Sequence, residues 1–520
     1  MRLDTIFRAQ AVRYPGKTAL VCGSDRVSYS ELDRRILNLA TGLLKLGAKA
    51  GDRLVIYLPN GIDLVELLYA AFSIGVIVVP VSTRLTPLEL QYICRDSKPF
   101  AVALDADVAL RAEVARDLPD AIFISTGAKI SGTIDLTELR ANDSAPLHHL
   151  PFTDDALVMY TSGTTGSPKG AVITHSNLIV QNYFVHAVEW GVSSADIYLV
   201  TTPLAHRAGL ARLANALSLG GTLVILKSFD PVAAVRAIED EKITVVGMVP
   251  TVCRMMLPAI QDAPSRCASL RCIVVTGEAF PVELKRKFLS LLPHVRLVSF
   301  FAMTEAGAVT SLAHEEQFAR PESIGRPTPG VEIRIVDDRG IDTVPGQPGE
   351  LLVRSGEPGR FTVMRCYYQR PEETKTALRE GWLHTGDIAR CDELGYLYIV
   401  DRKKDMIITG GLNVYTKEVE QALLTNPGIA DAAVVGIPDD VYGESVVAFV
   451  ERPADSQLTI EDVIATVLGR LAGYKKPKHV FLVDDLPRNG TGKVLKHELR
   501  LRAERLLRPA PGAARILQGV

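Results

Sequence analysis

Apolar residues N-terminal to Gly325 alternate between helical and strand spacing. Residues 29–46 and 61–74 have apolar positions at helical intervals, whereas 52–58, 75–81 and 101–104 are short apolar runs rich in β-branched side chains. Such runs are typical of strands that are buried on both faces of a parallel sheet. The alternation therefore predicts a layered α/β fold.

The same rhythm returns further along the chain, with strands predicted at 222–226, 244–249 and 271–275 and a helix at 231–241. Beyond Gly325, glycine and proline interrupt alternating segments at 331–336 and 349–353, which predicts an antiparallel β subdomain. The richest apolar region, 54–81, contains two prolines, Asp63 and Glu66. We therefore interpret it as two strands around a helix and not as a membrane span.

Five consecutive charged residues, Asp401 to Asp405, separate a predicted strand at 396–400 from an apolar run. We expect charge at this density to be solvated and to mark a domain boundary. Residues 410–507 contain enough helical and strand patterns for a small α+β domain. The predicted architecture is α/β: a large N-terminal domain (1–401) of layered βαβ subdomains plus a β subdomain, a small mobile C-terminal α+β domain (402–508) and a tail (509–520).

Composition and net charge limit the classes of function that the sequence allows. With 47% hydrophobic and 23% charged residues the chain has the composition of a globular protein, and 58 basic against 60 acidic residues give a net charge of −2. No basic field points to nucleic acid, and no integral membrane segment is predicted. Seven scattered cysteines without a Cys-x-x-Cys pair predict neither a zinc site nor a disulfide framework. A cytoplasmic location fits this pattern, and residues 1–11 lack the apolar core of a secretory signal.

The densest chemical signal is the sequence TSGTTGSPKG at 161–170, which follows an apolar strand pattern at 156–159. Glycines allow backbone N–H groups to face an anion, hydroxyls add donors, and Lys169 adds a positive charge. This combination indicates a polyphosphate site. Pro168 before the lysine departs from the Walker pattern. The alternative, for the segment taken alone, is a Ser/Thr/Gly turn.

The segment resembles the phosphate loop of the AMP-forming adenylating superfamily, which includes acyl-CoA synthetases, firefly-type luciferases and peptide-synthetase adenylation domains. Similar motifs extend from Tyr29-Ser30-Glu31-Leu32 to Lys493, nearly the whole chain. The resemblance implies ATP, Mg²⁺ and coenzyme A as cofactors. It also implies that the partners are a small-molecule carboxylic acid and CoA, and it leaves open whether the chain forms a homodimer.

Adenylation needs positioning and charge neutralisation more than acid–base chemistry. A carboxylic acid with a pKa of about 4 to 5 is ionised at neutral pH, so its attack on the α-phosphorus of ATP requires no general base. Phe301-Ala302-Met303-Thr304-Glu305 occupies the place of the superfamily's Tyr-Gly-x-Thr-Glu. The resemblance implies that Phe301 stacks on adenine, Thr304 binds the α-phosphate and Glu305 holds magnesium together with Thr161. In isolation, Thr-Glu is more often a helix cap.

Further nucleotide-binding positions follow from the resemblance. Thr276-Gly277-Glu278-Ala279 would line adenine, and Asp387 of the Thr-Gly-Asp motif would accept both ribose hydroxyls. Each segment, taken alone, is also an ordinary turn. The predicted nucleotide-binding residues are Thr161, Ser162, Gly163, Thr164, Thr165, Gly166, Lys169, Gly277, Glu278, Ala279, Phe300, Phe301, Ala302, Met303, Asp387 and Arg402.

The C-terminal motifs imply a change of domain pose. By resemblance, Lys404 is the hinge, Gly410 and Gly411 line the pantetheine tunnel for CoA, and Lys493 enters the site for adenylation and leaves for thioester formation. Thr416 stands where the superfamily usually has proline. The alternative for the charged segment is a solvated linker, and for Lys493 a solubilising surface charge.

The motif at the predicted acid-binding end departs from the superfamily's pattern. Leu204-Ala205-His206 resembles the segment that ends in the superfamily's gate histidine, here His206, with Ala205 in place of an aromatic residue. The catalytic set implied by resemblance is thus Lys493, Thr304, Glu305 and His206. The predicted acyl-pocket residues are Arg207, Ala208, Arg212, Ala308 and Val309.

Two arginines beside an apolar pocket would be costly to bury without an anionic partner. One hypothesis is therefore an acid with a second polar or carboxylate group. The alternative, which we favour from sequence because arginines usually reach solvent, is that both side chains turn outwards.

The resulting prediction is an AMP-forming acid:CoA ligase for a medium- or long-chain fatty acid or a cyclic or aryl acid. The alternatives are a stand-alone adenylation enzyme that loads a carrier protein, a luciferase-like oxygenase and a non-catalytic nucleotide-binding regulator. The retention of Glu305 and Lys493 argues against the last of these.

Overall fold

The computed structural model describes residues 1–105, 107–127, 130–141, 153–161, 168–277, 280–453, 456–488 and 494–507. The predicted phosphate-loop residues Ser162, Gly163, Thr164, Thr165 and Gly166, together with Glu278, Ala279 and Lys493, lie outside these described residues. The same holds for the tail from 508 onwards.

The first elements follow the predicted α/β alternation. In chain order they are α1 (Leu3–Arg13), β1 (Thr18–Cys22), β2 (Asp25–Ser28), α2 (Tyr29–Lys45), β3 (Arg53–Tyr57), α3 (Ile62–Ser73), β4 (Ile77–Pro80), α4 (Pro87–Ser97), β5 (Ala101–Asp105), α5 (Val108–Ala115), β6 (Ile122–Thr126), β7 (Ile134–Asp135) and α6 (Leu136–Arg140). Helix α2 begins where the Ser28 side chain accepts a hydrogen bond from the backbone N–H of Glu31. The region 54–81 is indeed two strands around a helix, as predicted.

The next elements surround the phosphate-loop and Thr-Glu motifs. They are β8 (Asp155–Thr161), β9 (Lys169–Thr174), α7 (His175–Ile179), a π-helix (Val180–Val185), α8 (His186–Trp190), β10 (Ile197–Val200), α9 (Arg207–Leu219), β11 (Thr222–Ile225), α10 (Pro231–Asp240), β12 (Val245–Met248), α11 (Pro250–Asp262), β13 (Cys272–Val275), α12 (Val282–Leu291), β14 (Arg296–Met303) and β15 (Gly307–Leu312).

The remaining elements are shorter strands and the C-terminal helices. They are β16 (Arg326–Pro327), β17 (Glu332–Val336), β18 (Gly349–Arg354), β19 (Cys366–Tyr367), α13 (Pro371–Ala377), β20 (Leu378–Arg379), β21 (Trp382–Cys391), β22 (Leu397–Arg402), β23 (Ile407–Thr409), β24 (Leu412–Val414), α14 (Thr416–Leu423), β25 (Asp431–Asp439), β26 (Gly443–Glu451), α15 (Ile460–Leu468), β27 (His479–Val483) and α16 (Lys496–Leu507).

Two sheets form the centre of the first compact unit, which comprises Met1–Arg334, Leu352–Thr385 and Asp392–Tyr398. Within the described residues, one sheet has the order β16-β15-β14-β13-β12-β10-β11-β1-β2 and the other β19-β9-β8-β4-β3-β5-β6-β7. Both have parallel centres; the first ends in antiparallel pairs on both sides, and the second is antiparallel at β8/β9 and β9/β19 but parallel at its β6/β7 edge. The carboxyl ends of parallel strands open a crevice in folds of this kind.

The second compact unit comprises Ile335–Leu351, Gly386–Cys391 and Ile399–Val520. Its own sheet, within the described part, has the order β24-β23-β26-β25, with β27 parallel to β26. Apolar side chains of α14 and α15 pack on one face of this sheet around Val434, Ala448 and Val450. This α+β arrangement agrees with the predicted fold class; the predicted domain limits at 401 and 508 stay predictions.

No helix within the described ranges combines the length and apolar character needed to cross a membrane.

Candidate functional site

The Thr-Glu motif lies in the turn between the antiparallel strands β14 and β15. Glu305 is 9% exposed, and its Oε1 accepts two hydrogen bonds, from the Thr161 hydroxyl and from the Tyr367 phenol, each at 3.1 Å. Two donors on one oxygen fix the carboxylate in orientation. The structure thus brings together the two residues that the sequence assigned to magnesium.

Lys169 is located by strand pairing. It begins β9 directly opposite Thr161, the last residue of β8, and partners in an antiparallel pair project from the same face of the sheet. The Lys169 Nζ lies 5.6 Å from the centroid of the Tyr367 ring. A cation, a carboxylate and two hydroxyl groups therefore converge at the base of the predicted phosphate loop.

Tyr367 is a site residue that the sequence analysis missed. It belongs to the two-residue strand β19, which pairs with β9 and places Tyr367 opposite Ala171. Burial, followed by the negative charge of Glu305, raises the pKa of the phenol, so it remains a hydrogen-bond donor at neutral pH. No spacing rule marks this tyrosine, because the adjoining segment 361–370 has no helical or strand periodicity.

The donor set suits magnesium that is delivered with a nucleotide. Mg²⁺ prefers oxygen ligands and retains several waters and phosphate oxygens, so one or two protein groups suffice to hold it. Glu305 and Thr161 provide a carboxylate and a hydroxyl at one point. Nowhere in the part of the chain that the structure describes do three His, Cys, Asp or Glu side chains cluster as a metal site.

The predicted adenine side lies at the ends of β13 and β14. Gly277 follows β13 with a φ of +97°, a conformation that favours glycine. Phe301, Ala302 and Met303 are half-buried at the end of β14. Phe300 is buried, with its ring 5.2 Å from Trp190 and 5.5 Å from His186. Since neighbouring strand residues point to opposite faces, the packing places Phe300 on the side away from Phe301.

In the second unit, Asp387, the residue predicted to bind ribose, forms an ion pair with Arg402. The Nε of Arg402 lies 3.2 Å from Oδ1 of Asp387, whose side chain is 4% exposed. Lys404, the predicted hinge, is exposed. Gly410 and Gly411 form the two-residue turn between β23 and β24, and both have positive φ, 56° and 77°. Such a turn exposes backbone without side chains.

One expectation about the charged segment is wrong. Asp401 is 1% exposed rather than solvated, and it accepts hydrogen bonds from both the backbone N–H and the hydroxyl of Thr416. Burial nevertheless raises the pKa of this carboxyl group. The unusual Thr416 explains the difference, because proline at that position would have no N–H to donate. Lys496 also donates to the Thr416 hydroxyl at 2.7 Å.

His206 and Arg207 begin helix α9. The His206 ring has a buried Nε2 without a hydrogen-bond partner among the described residues, and burial lowers its pKa, so the imidazole is neutral at pH 7. Arg207 donates to Gln181 Oε1 at 2.8 Å and to the Thr304 carbonyl oxygen at 3.4 Å. Gln181 lies in the π-helix, and a Cβ at Gly307 would be 2.6 Å from its Oε1.

Both arginines of α9 point inwards, which contradicts the outward orientation that we favoured from sequence. Arg207 is 9% exposed and Arg212 is 3% exposed, and burial lowers the pKa of each to about 10. Both therefore remain charged at neutral pH. The Arg212 guanidinium carbon lies 4.4 Å from the centroid of the Trp190 ring. A cation–π contact of this kind contributes about 2 kcal/mol when desolvated, whereas burial of an ion costs several kcal/mol.

The other predicted acyl-pocket residues are small and apolar. Ala308 and Val309 are buried in β15, and Ala208 is half-buried in the first turn of α9. The structure describes their positions, and their role in binding an acid stays a prediction. His186, which the sequence analysis did not single out, stacks on Trp190 with 3.8 Å between ring centroids. Burial and the positive charge of Arg212 lower its pKa well below the usual value.

Two protein-family models and several known proteins match this chain. The AMP-binding enzyme family matches residues 7–368, and the AMP-binding enzyme C-terminal domain matches residues 418–493. The chain is 36% identical to a feruloyl-CoA synthase from Amycolatopsis over 490 residues, which cover 94% of this chain and 96% of the relative. It is 31% identical to a 2-succinylbenzoate–CoA ligase from Geobacillus over 487 residues, 94% of each chain.

A solved structure of similar architecture is ATP-bound MatB from Rhodopseudomonas palustris. The TM-score is 0.88 at 29% sequence identity, over 98% of this chain and 100% of that chain. The similarity therefore covers both compact units and nearly the whole length.

Proposed function

Because this chain belongs to the AMP-binding enzyme family, in the CoA-ligase branch of the adenylating superfamily, we propose that it joins a carboxylic acid to coenzyme A. ATP is cleaved to AMP and diphosphate, and an acyl-adenylate is the intermediate. The proposed acid is a medium- or long-chain fatty acid or a cyclic or aryl acid. Relatives at 36% and 31% identity are named for aryl acids and one at 33% for a long-chain fatty acid, which supports both classes.

The observation that carries the proposal is the convergence of Thr161 and Tyr367 on Glu305, with Lys169 opposite Thr161 and over the Tyr367 ring. Phosphoryl and adenylyl transfer depend on positioning and on neutralising phosphate charge. Magnesium bound to Glu305 and Thr161 would supply much of that neutralisation. Lys169 adds a fixed positive charge, and Tyr367 holds the carboxylate in the orientation that the ion requires.

The remaining roles are proposed from the superfamily motifs. Thr304 binds the α-phosphate, Asp387 and Arg402 hold the ribose, and His206 separates the nucleotide, acyl and CoA channels. His206, half-buried and neutral because burial lowers its pKa, suits that role since it adds no charge to the channel. Gly410 and Gly411 admit the pantetheine arm, and Lys493 bridges the carboxylate and the α-phosphate during adenylation.

The test is diphosphate release by the purified full chain with ATP and magnesium, across fatty, aryl and dicarboxylic acids, each with and without CoA. We expect AMP and an acyl-CoA with one acid class when CoA is present, and loss of both products in Glu305→Gln. If adenylate forms but CoA never accelerates turnover, the enzyme instead transfers the acyl group to another acceptor, such as a carrier protein.

A further inference from the structure

Arg212 is almost fully buried but has no carboxylate partner among the described residues, unlike several more exposed arginines. Arg140 pairs with Glu66 at 2.6 Å, and Arg271 pairs with Asp196. Arg207 donates to Gln181 and has Glu305 near enough to influence its pKa. The Nε–H of Arg212 has no acceptor among the described residues, and after burial its pKa responds to the Tyr198 hydroxyl and the Cys272 thiol, not to a carboxylate.

The surrounding structure is shaped to hold this guanidinium inside. A Cβ at Gly247, in the central strand β12, would lie 2.8 Å from Cδ of Arg212, so the absence of a side chain there makes room for the arginine. Trp190 contacts the guanidinium, and the His186 ring that stacks on Trp190 is uncharged. No described feature of this environment supplies the negative charge that a buried arginine requires.

Helix α9 relates Arg212 to the proposed reaction centre. Arg207, the first residue of α9, reaches the carbonyl oxygen of Thr304 beside Glu305. Arg212 lies five residues further along the helix, which is about 7.5 Å along the axis at 1.5 Å per residue. Five residues also turn the helix by about 140°, but both guanidinium groups lie close enough to the His186 ring to lower its pKa, so both border one buried region. An extended acid whose reacting carboxylate lies near Thr304 would direct its far end towards Arg212 across this region.

We propose that Arg212 binds a second carboxylate of the substrate, at the end remote from the carboxylate that is adenylated. The inference rests on the proposed ligase function and specifies its substrate class as a dicarboxylic acid with a spacer of intermediate length. A planar guanidinium binds a carboxylate through two parallel hydrogen bonds, and the substrate thereby provides the counter-charge that the protein lacks. A monoacid would leave the guanidinium buried without that partner.

The experiment compares straight-chain and aryl dicarboxylic acids with monoacids of matched length, by diphosphate release and acyl-CoA formation. For the wild-type protein we expect the best diacid to exceed its matched monoacid in kcat/KM. Arg212→Met should lower kcat/KM for that diacid by roughly 10- to 100-fold, mainly through KM, because a charge-assisted contact is lost. It should change the monoacid value by less than about threefold, and Arg212→Lys should restore part of the diacid activity.

Two further variants separate recognition from folding. Gly247→Ala keeps the charge but displaces the arginine, so it should also lower the ratio of diacid to monoacid activity. Lys285→Met removes another buried cation, whose Nζ donates to the Pro321 carbonyl oxygen at 2.8 Å, and should leave that ratio unchanged. Equal loss of both acids in Arg212→Met, or a wild-type preference for monoacids, would overturn the inference.

Failure of the proposed ligase function gives a different experimental result from failure of the anion site at Arg212. If no acid releases diphosphate or yields an acyl-CoA, the ligase assignment is wrong. The anion site is then judged by ligand-induced thermal stabilisation in the presence of ATP. Diacids, but not monoacids, should raise the melting temperature of the wild-type protein and should not raise that of Arg212→Met. Stabilisation of both proteins, or of neither, would reject the site.

Discussion

The phenol of Tyr367 donates a hydrogen bond to Glu305, with 3.1 Å between the two oxygens. If this contact orients the carboxylate for magnesium, Tyr367→Phe should lower kcat/KM for ATP by roughly 10- to 100-fold and raise the magnesium concentration needed for half-maximal activity. Diphosphate release measures both quantities. Tyr368→Phe is the matched control, because the one hydrogen bond of the Tyr368 hydroxyl within the described residues is accepted from the exposed Gln369. Similar effects of both variants would remove Tyr367 from the site.

Asp387 and Arg402 should act as one unit in nucleotide binding, because their side chains already form an ion pair. We expect Asp387→Asn and Arg402→Met each to raise the KM for ATP by about tenfold. The double variant should be clearly less impaired than the product of the two effects, as for residues that share an interaction. The double-mutant cycle on the KM for ATP measures this coupling, and strictly multiplicative effects would contradict it.

The buried imidazole of His175 should make the folded protein less stable at acidic pH. Its buried Nδ1 accepts a hydrogen bond from the backbone N–H of Leu3 at 3.3 Å, and burial lowers its pKa from 6.5 to about 3. The unfolded chain therefore binds a proton below pH 6.5 that the folded chain excludes, and the stabilisation present above pH 6.5 is lost as the pH falls towards 3. The expected loss is about 1.4 kcal/mol per pH unit.

The corresponding measurement is the urea midpoint of unfolding between pH 7.5 and 5.0. His175→Gln, whose amide oxygen can still accept from Leu3, should show a shallower decline than the wild-type protein. Identical pH profiles would show that His175 is not one of the groups responsible.

Thr416 should be sensitive to the removal of its backbone donor. Thr416→Pro deletes both the N–H and the hydroxyl that donate to Asp401, whereas Thr416→Val deletes only the hydroxyl, so the difference between the two variants reports the N–H. A buried carboxylate that loses a donor costs about 1 to 3 kcal/mol, so proline should lower the melting temperature more than valine. Thermal unfolding of the full chain tests the order, and a variant with proline that is as stable as wild type would exclude this role for the N–H.

The layered fold is largely predictable because its signals are local and repeated. Residues 29–46 were predicted as a helix, and α2 spans Tyr29–Lys45, because apolar spacing and a serine cap coincide there. The expectation that the charged segment is solvated was wrong, because a high density of charge does not determine whether one particular carboxylate is buried. Asp401 finds two donors from Thr416, fifteen residues away, and such a contact is invisible in a linear pattern.

The candidate site likewise contains residues that the sequence could predict and residues that it could not. Glu305 and Thr161 could be paired in advance because each belongs to a recognisable motif. Tyr367 belongs to none, and only the pairing of β19 with β9 brings it to Glu305. The orientation of Arg212 was predicted wrongly because it depends on an empty space at Gly247 and on the Trp190 ring, both distant in sequence.

The register of β8 and β9 has a consequence for variation among related sequences. Thr161 and Lys169 are paired, so the sheet fixes the two residues that flank the segment 162–168. A one-residue insertion or deletion in either strand would turn alternate side chains to the opposite face, and Lys169 would then no longer share a face with Thr161. Exchange of β8 and β9 between homologues should therefore succeed only when the length of each strand is preserved.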